Sequence, residues 1–156
     1  MATKSSWCSA AVHRPTAMTT PSSLRARTKR RRKRANERRD PMPCLRIETN
    51  IELDGGQAQD LAAKATSLVA ESLGKSERYV MVMVHQGALV TFDNDQSPAA
   101  YCTLGSIGLE ESQCPVLAES LCMFLETRTG IPQDRIYIEF KDLSRSMFGW
   151  NGKTFA

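Results

Sequence analysis

The sequence predicts an α+β domain of βαββαβ order, in which a four-stranded mixed sheet carries two helices on one face. Three observations predict this class. Strand-like alternation of apolar and polar residues occurs at 45–51 and 135–141, and two segments of helical periodicity lie between them. A repeat is also visible: "GKSERYVMV" begins at Gly74 and "GIPQDRIYI" at Gly130. Each places an acid, an arginine and an apolar strand after a glycine, so the repeat predicts two βαβ halves related by a pseudo-two-fold axis.

The first half begins with a strand whose alternate residues share one face: Leu45, Ile47, Thr49 and Ile51. The "DGG" at 54–56 ends this strand, and residues 58–73 form a predicted helix that Gly74 caps. Its inward stripe is predicted to contain Leu61, Ala65, Leu68 and Ser72. The run "YVMVMV" at 79–84 predicts a strand covered on both faces, and "ALVTF" at 88–92 predicts a shorter strand.

The second half repeats this plan. Strands are predicted at 99–107 and 135–141, on either side of a helix at 112–128 that Gly130 ends. The inward residues of this helix are predicted to be Leu117, Leu121, Phe124 and Leu125. One layer of helices covers one face of a sheet, so the apolar strand at 79–84 predicts that the second face meets another subunit in a closed symmetric oligomer.

Residues 1–41 form a basic N-terminal extension. They hold 12 of the 21 Lys and Arg residues but two of the 17 Asp and Glu residues, which leaves a mildly acidic domain at 42–156. The extension contains "KRRRKR" at 29–34, lacks apolar periodicity and is predicted to be disordered. It fits an organelle transit peptide or removed segment, an inert tail, or a nuclear-localisation or nucleic-acid patch. Nucleic-acid binding would rest on this extension alone and is not expected of the domain.

Composition argues against several classes of protein. No apolar run approaches the roughly 20 residues of a membrane span. The five cysteines are Cys8, Cys44, Cys102, Cys114 and Cys122. They lack CxxC spacing, so neither a disulfide framework nor a zinc site is expected, and most are predicted to be buried thiols. One histidine, His13, lies in the extension and the other, His85, ends a strand, so no hydrolase triad is predicted.

Five motifs of the domain resemble those of one known family. They are "MPCLRIETN" at 42–50, "GK" at 74–75, "PAAYCTLGSIG" at 98–108, "DRIYIEF" at 134–140 and "FGWNGKTFA" at 148–156. From Pro43 to Ala156 the sequence resembles the macrophage migration inhibitory factor and D-dopachrome tautomerase family. The resemblance implies a trimer of βαββαβ subunits whose sheets enclose a central channel. It also implies keto–enol tautomerisation without a cofactor or metal.

The resemblance places the general base at Pro43. A prolyl nitrogen inside a chain is an amide, whereas a terminal proline is a secondary amine with a lone pair. Burial in an apolar pocket lowers the pKa of such an amine toward neutrality, which suits the removal of a proton from carbon beside a carbonyl. Initiation of translation at Met42 followed by removal of the methionine, or cleavage near "RRDPM", would expose this amine. Translation starts at Met1 and Met18 stay open as alternatives. The residue pattern alone also fits a proline at a strand start.

The resemblance also implies substrate-binding positions. Lys75 matches the lysine that meets the substrate carboxylate, Ile107 matches a residue beside the proline, and Tyr137 matches a tyrosine donated by the neighbouring subunit. Further wall positions are Tyr79, Phe148, Trp150 and Phe155. By residue type alone, Lys75 also fits a solvated charge and the aromatic residues fit ordinary packing.

Three positions depart from the family pattern. The usual pocket asparagine is Glu139, whose carboxylate is expected to repel an anionic substrate or to pair with Lys75. The Phe-Gly-Gly loop reads "FDN" at 92–94 and is expected to reshape the pocket rim. The CxxC motif of some members is reduced to Cys102, because its first position is Ala99. Disulfide exchange of that type is therefore not expected.

The predicted function is a tautomerase of the phenylpyruvate or dopachrome type, acting on a small enolisable keto acid or aromatic substrate. The alternative is a cytokine-like trimer that binds a protein receptor or an intracellular partner, with vestigial catalysis. The resemblance implies an extracellular location reached by a non-classical route, or a cytosolic one. Organelle targeting by residues 1–41 is a further alternative.

Overall fold

The computed structural model describes residues 42–156, so the disorder predicted for residues 1–41 lies outside the described residues. Four long strands and two helices follow in the predicted order, and a short hairpin lies near the C-terminus. The elements are β1 (Cys44–Thr49), α1 (Gly55–Leu73), β2 (Met81–His85), β3 (Ala100–Ser106), α2 (Cys114–Thr129), β4 (Ile136–Asp142), β5 (Gly149–Trp150) and β6 (Lys153–Thr154).

The four long strands form one mixed sheet in the order β2-β1-β3-β4. Strand β1 is parallel to β2, and β3 is parallel to β4, whereas the central pair β1 and β3 is antiparallel. Each parallel pair is connected through one helix. Short 3₁₀ turns at Glu77–Tyr79 and Gln133–Arg135 precede β2 and β4, at corresponding places in the two halves. The α+β class and the pseudo-two-fold repeat are therefore confirmed.

Local side-chain chemistry sets the ends of the helices. Asp54 accepts a hydrogen bond from the backbone N–H of Gln57 at 2.7 Å, and the Gln57 side chain accepts one from the backbone N–H of Asp54 at 3.1 Å. This reciprocal cap stabilises a first turn that begins at Gly55, three residues before the predicted start. Gly74 and Gly130 end α1 and α2 as predicted, with left-handed φ values of 62° and 74°.

Both helices pack against one face of the sheet, and the hydrophobic core lies between them. Its most buried members are Leu45, Ile47, Cys102 and Leu104 from the sheet, Leu61, Ala65 and Val69 from α1, and Leu117, Leu121 and Leu125 from α2. The predicted stripe of α1 is wrong at Ser72, which is exposed, whereas Leu68 is half-buried and packs against the core. The buried row instead follows i+4 spacing through Val69, the ridge along which helices commonly pack.

The opposite face of the sheet is open in the single chain. In β2, Val82 and Val84 pack toward the core, while Met81 is 50% exposed. The strand begins at Met81, two residues later than predicted, because Glu77–Tyr79 forms a 3₁₀ turn. The open face also carries Arg46, Glu48, Tyr101, Thr103, Tyr137, Glu139 and Lys141. The prediction of cover on both faces is thus correct for one face within the chain, and a covering subunit stays a prediction.

The strand predicted at 88–92 does not form. The backbone N–H group of Ala88 donates to Thr49, the last residue of β1, and that of Gly87 donates to Ile51 just beyond it, so these two residues bind the end of β1. Leu89 is 91% exposed. The segment then reverses in a tight turn instead of pairing with a strand.

The β5–β6 hairpin was not predicted. Its two strands are joined by Asn151 and Gly152, which have φ values of 51° and 77°. An Asn-Gly pair favours this kind of two-residue turn, because both residues accept positive φ. The sequence therefore did contain a signal for the hairpin, although each strand has only two residues.

Candidate active site

Pro43 lies immediately before β1, at one end of the sheet. Its side chain is less than 2% exposed, and its carbonyl accepts a hydrogen bond from the backbone N–H of Met81 at 2.9 Å. The next residue, Cys44, is opposite Gly105 near the end of β3. Pro43 is thereby held between the start of β2 and the end of β3, in a position shielded from water.

Lys75 is directed toward the same end of β3 by the C-terminal cap of α1. The left-handed conformation of Gly74 allows the backbone N–H of Lys75 to donate to Ala70 at 2.8 Å. Its ammonium nitrogen Nζ lies 2.7 Å from Ser106 Oγ and 3.1 Å from the carbonyl oxygen of Ile107, and donates to both. These bonds fix a positive charge at the end of β3.

The structure therefore brings together three of the predicted site residues, Pro43, Lys75 and Ile107. Ile107 is 4% exposed, so it forms an apolar side of this group. Ser106 also belongs to the site, and the sequence reasoning missed it. Its hydroxyl is fully buried and depends on Lys75 as a hydrogen-bond donor. A polar residue inside the apolar strand predicted at 99–107 was the available signal.

Four predicted wall residues form two aromatic pairs. Tyr79 meets Trp150 edge to face, with ring centroids 6.1 Å apart and an angle of 88°. Phe148 and Phe155 are nearly parallel at 17°, with centroids 6.0 Å apart. The hairpin fixes the second pair, because the backbone N–H of Phe155 donates to Phe148 at 3.1 Å. Tyr79 lies two residues before the strand start that binds the Pro43 carbonyl, so the first pair belongs to the same end of the sheet.

The single chain does not bring Tyr137 to Pro43. Tyr137 is opposite Tyr101, four residues along β3 from Gly105, which is about 13 Å along the sheet. Its side chain is 61% exposed on the open face. Glu139 shares this face and lies two residues further along β4. A contribution of either residue to a pocket at Pro43 would have to come from a second copy of the chain.

Glu139 has well-defined partners within its own chain. Its oxygen Oε2 is 2.9 Å from Lys141 Nζ, and it accepts hydrogen bonds from the Tyr101 hydroxyl at 2.9 Å and from Thr103 Oγ1 at 3.5 Å. The Lys141 ammonium, followed by the Tyr101 hydroxyl, lowers the pKa of this carboxyl below its usual value. Within the described chain Glu139 therefore pairs with Lys141, and an ion pair with Lys75 of a second copy stays a prediction.

Residues 42–156 are similar in sequence and fold to a set of known proteins. A model of the macrophage migration inhibitory factor (MIF) family matches residues 42–156. The chain is 38% identical over 116 residues to a MIF homolog of Brugia malayi, across 74% of this chain and all of that protein. It is 34% identical to MIF of Xenopus tropicalis with the same coverage. The crystal structure of a MIF homologue from Prochlorococcus marinus superimposes with a TM-score of 0.69 at 37% identity, covering 72% of this chain and 99% of that one.

The chain belongs to the macrophage migration inhibitory factor family. The fold of the MIF relatives is therefore the fold of residues 42–156.

The loop that departs from the Phe-Gly-Gly pattern of the MIF family keeps a tight turn. Phe92 and Asp95 exchange backbone hydrogen bonds of 2.9 and 3.1 Å, and the two residues between them, Asp93 and Asn94, have φ values of 53° and 55°. Glycine takes this left-handed conformation freely, and Asn and Asp are the other residues that tolerate it well. Asp93 and Asn94, which replace the two glycines of the family pattern, are thus residue types that suit this turn. The backbone of the turn gives no support to the expected reshaping of the pocket rim.

Substitutions at Asn94 are expected to change the free energy of unfolding according to how well the new residue accepts a positive φ. Asn94→Gly should leave the free energy of unfolding unchanged or raise it slightly, whereas Asn94→Val should lower it by about 1–2 kcal/mol, because a β-branched residue is strained at positive φ. Urea denaturation measures both. Thr91→Val, at an exposed position just before the turn, is the matched control and should have little effect. Equal stability of the Asn94→Gly and Asn94→Val variants would contradict the strained turn.

The prediction that most cysteines are buried thiols is wrong for the cysteines of residues 42–156. Only one of the four described cysteines, Cys102, is fully buried, while Cys44, Cys114 and Cys122 are half-buried. Cys44 is less buried because it lies at a strand start on the open face, and Cys114 because it begins α2. Desolvation raises the pKa of the Cys102 thiol to about 12. Cys102 is therefore a protonated core group rather than a nucleophilic thiolate.

Proposed function

We propose that the protein is a cofactor-free keto–enol tautomerase of the phenylpyruvate or dopachrome type, with the terminal amine of Pro43 as general base. The observation that carries the proposal is the buried Pro43 side chain at the same sheet end as the Lys75 ammonium. Membership of the MIF family supports an isomerase in general. The positions of Pro43 and Lys75 support the choice of this base and this cation in the proposal.

The proposed reaction requires Pro43 to be the first residue. Its nitrogen is then a secondary amine, and the buried position disfavours the protonated form. The amine removes a proton from the carbon beside the substrate carbonyl, and the electrons of the broken C–H bond form an enolate. The prolyl ammonium then donates this proton to the enolate oxygen, which gives the enol and restores the free amine. General-base catalysis of this kind contributes about 10²–10⁴-fold.

Lys75 binds the substrate carboxylate in this proposal. Ser106 and Ile107 hold the ammonium in place before the substrate arrives, so little reorganisation is needed on binding. The aromatic pairs Tyr79–Trp150 and Phe148–Phe155 supply apolar surface for the ring of a substrate such as phenylpyruvate. Together these contacts orient the carbon that loses its proton toward Pro43.

Hydrogen–deuterium exchange at the substrate carbon tests this function directly. Protein that begins at Pro43 is expected to accelerate the loss of the α-proton signal of phenylpyruvate in D₂O, measured by NMR, and to decolorise dopachrome. Lys75→Met should lower kcat/KM for phenylpyruvate more than for its methyl ester. Lys64→Met, at an exposed position of α1, is the control and should change neither. Buffer-level rates with both substrates would refute the proposal.

A second candidate is a cytokine-like or intracellular partner-binding trimer with vestigial catalysis. The relatives' name favours it, because "macrophage migration inhibitory factor" describes an effect on cells rather than a reaction. A folded trimer that is inactive on every enolisable ketone tested would select this candidate. An extracellular location by a non-classical route, or a cytosolic one, accompanies either function as a proposal. In residues 42–156, no helix is long and apolar enough to cross a membrane.

A further inference from the structure

A polar cluster of four residues occupies the open face of β3 and β4. Glu139 is directly opposite Thr103 in the register of these strands, and Tyr101 is diagonal to it. Lys141 follows Glu139 at i+2, so its side chain lies on the same face. All the contacts described for the Glu139 carboxylate fall on one oxygen, Oε2, which leaves Oε1 as an acceptor.

The cluster has no net charge. Glu139 is held ionised by Lys141 and by the Tyr101 hydroxyl, and the Lys141 ammonium balances its charge at 2.9 Å. The neighbouring charges of β1 form a separate pair, in which Arg46 NH1 and Glu48 Oε1 are 3.6 Å apart. The negative charge of Glu139 is thus compensated locally.

We infer that Lys141 is a specificity-determining residue of the proposed tautomerase, because its ion pair with Glu139 replaces the family's pocket asparagine. This inference rests on the proposed function. An asparagine amide offers one acceptor oxygen and one donor group without net charge. The Glu139–Lys141 pair offers the same combination, with Oε1 as acceptor and the ammonium as donor. A carboxylate substrate therefore meets a neutral polar surface instead of an isolated negative charge.

The pair also explains why the two residues occur together. An isolated Glu139 near a substrate carboxylate would raise the energy of the complex, and this cost grows as water is excluded. An isolated Lys141 would attract the anion and compete with Lys75 for it. Each residue alone therefore shifts the charge preference of the site, in opposite directions, whereas the pair leaves the choice to Lys75.

A double-mutant cycle in protein that begins at Pro43 tests the inference. The variants are Lys141→Met, Glu139→Gln and the double substitution, and the substrates are phenylpyruvate and its methyl ester. Lys141→Met is expected to raise KM for the acid about threefold to tenfold with little change for the ester, because it leaves Glu139 uncompensated. Glu139→Gln should lower KM for the acid. The double variant should return close to the original value.

Three results distinguish the outcomes. Unchanged ester kinetics in Lys141→Met show that the protein is folded, and the carboxyl carbon shift of Glu139 should titrate at higher pH in this variant. Equal effects on acid and ester, or a double variant whose KM for the acid stays as high as that of Lys141→Met, would overturn the role of Lys141 and leave the tautomerase intact. Absence of activity on both substrates before any substitution would overturn the proposed function and this inference together.

Discussion

Protein that begins at Pro43 is expected to be at least about a hundredfold more active as a tautomerase than the 156-residue chain, because a general base contributes about 10²–10⁴-fold. In the longer chain the nitrogen of Pro43 is an amide, whose lone pair is delocalised into the carbonyl of Met42. The base is absent, although every side chain of the domain is present. The difference therefore tests the chemistry of one nitrogen atom.

The burial of Pro43 makes the expected loss larger. Its side chain is less than 2% exposed, so any residue attached to its nitrogen has to be accommodated at a position shielded from water. A single alanine inserted before Pro43 should consequently abolish most activity. Pro43→Gly should retain weak activity, since it keeps a terminal amine, although a primary one. The fold is expected to survive both changes, because the carbonyl that binds Met81 is retained.

Phenylpyruvate enolisation, followed by absorbance with each protein confirmed by intact mass, measures these differences. Comparable rates from the Pro43-started and 156-residue proteins would show that Pro43 is not the base. N-terminal sequencing of protein from its native source then determines which form exists. Initiation at Met42 with removal of the methionine, and cleavage near "RRDPM", are the two proposed routes, and both give the same terminal amine.

The fold was predictable because its signals are local. Alternation marks β1 and β4, and the glycines at 74 and 130 end the helices through their left-handed conformation. Errors occurred where a tertiary contact overrides the pattern. The apolar run at 88–92 does not form a strand, and Gly87 and Ala88 instead donate hydrogen bonds to residues at the end of β1, a contact that sequence spacing does not reveal.

The site was predictable in part, and for different reasons. The resemblance assigned Pro43, Lys75 and Ile107 to the candidate site, and the fold brings these three residues to one end of the sheet. It did not locate Ser106, because its role depends on where the Lys75 ammonium lies. It also could not show that Lys141 would compensate Glu139, since a strand neighbour at i+2 is a partner only in a particular rotamer.

Assembly into a trimer is expected to complete the pocket, with Pro43 supplied by one subunit and Tyr137 by the next. This expectation rests on the geometry of the single chain, in which Tyr137 is exposed and lies about 13 Å along the sheet from the level of Pro43. Light scattering of Pro43-started protein should give the mass of three chains. A stable monomer at micromolar concentration would contradict both the trimer and the shared pocket.

Mixing two defective subunits tests the sharing more strictly than a mass does. One variant carries the alanine inserted before Pro43, and the other carries Tyr137→Ala. The second change should cost about 10- to 100-fold in kcat/KM, the effect of losing roughly 1.5–3 kcal/mol of buried aromatic contact.

In a cyclic trimer refolded from equal amounts of both variants, an intact pocket takes its proline from the second variant and its tyrosine from the first. About one quarter of the pockets meet this condition. The mixture should therefore recover about a quarter of the activity of the unaltered protein, far above either variant alone. If Pro43 and Tyr137 served the same pocket from one chain, every pocket would hold a defect and mixing would restore nothing.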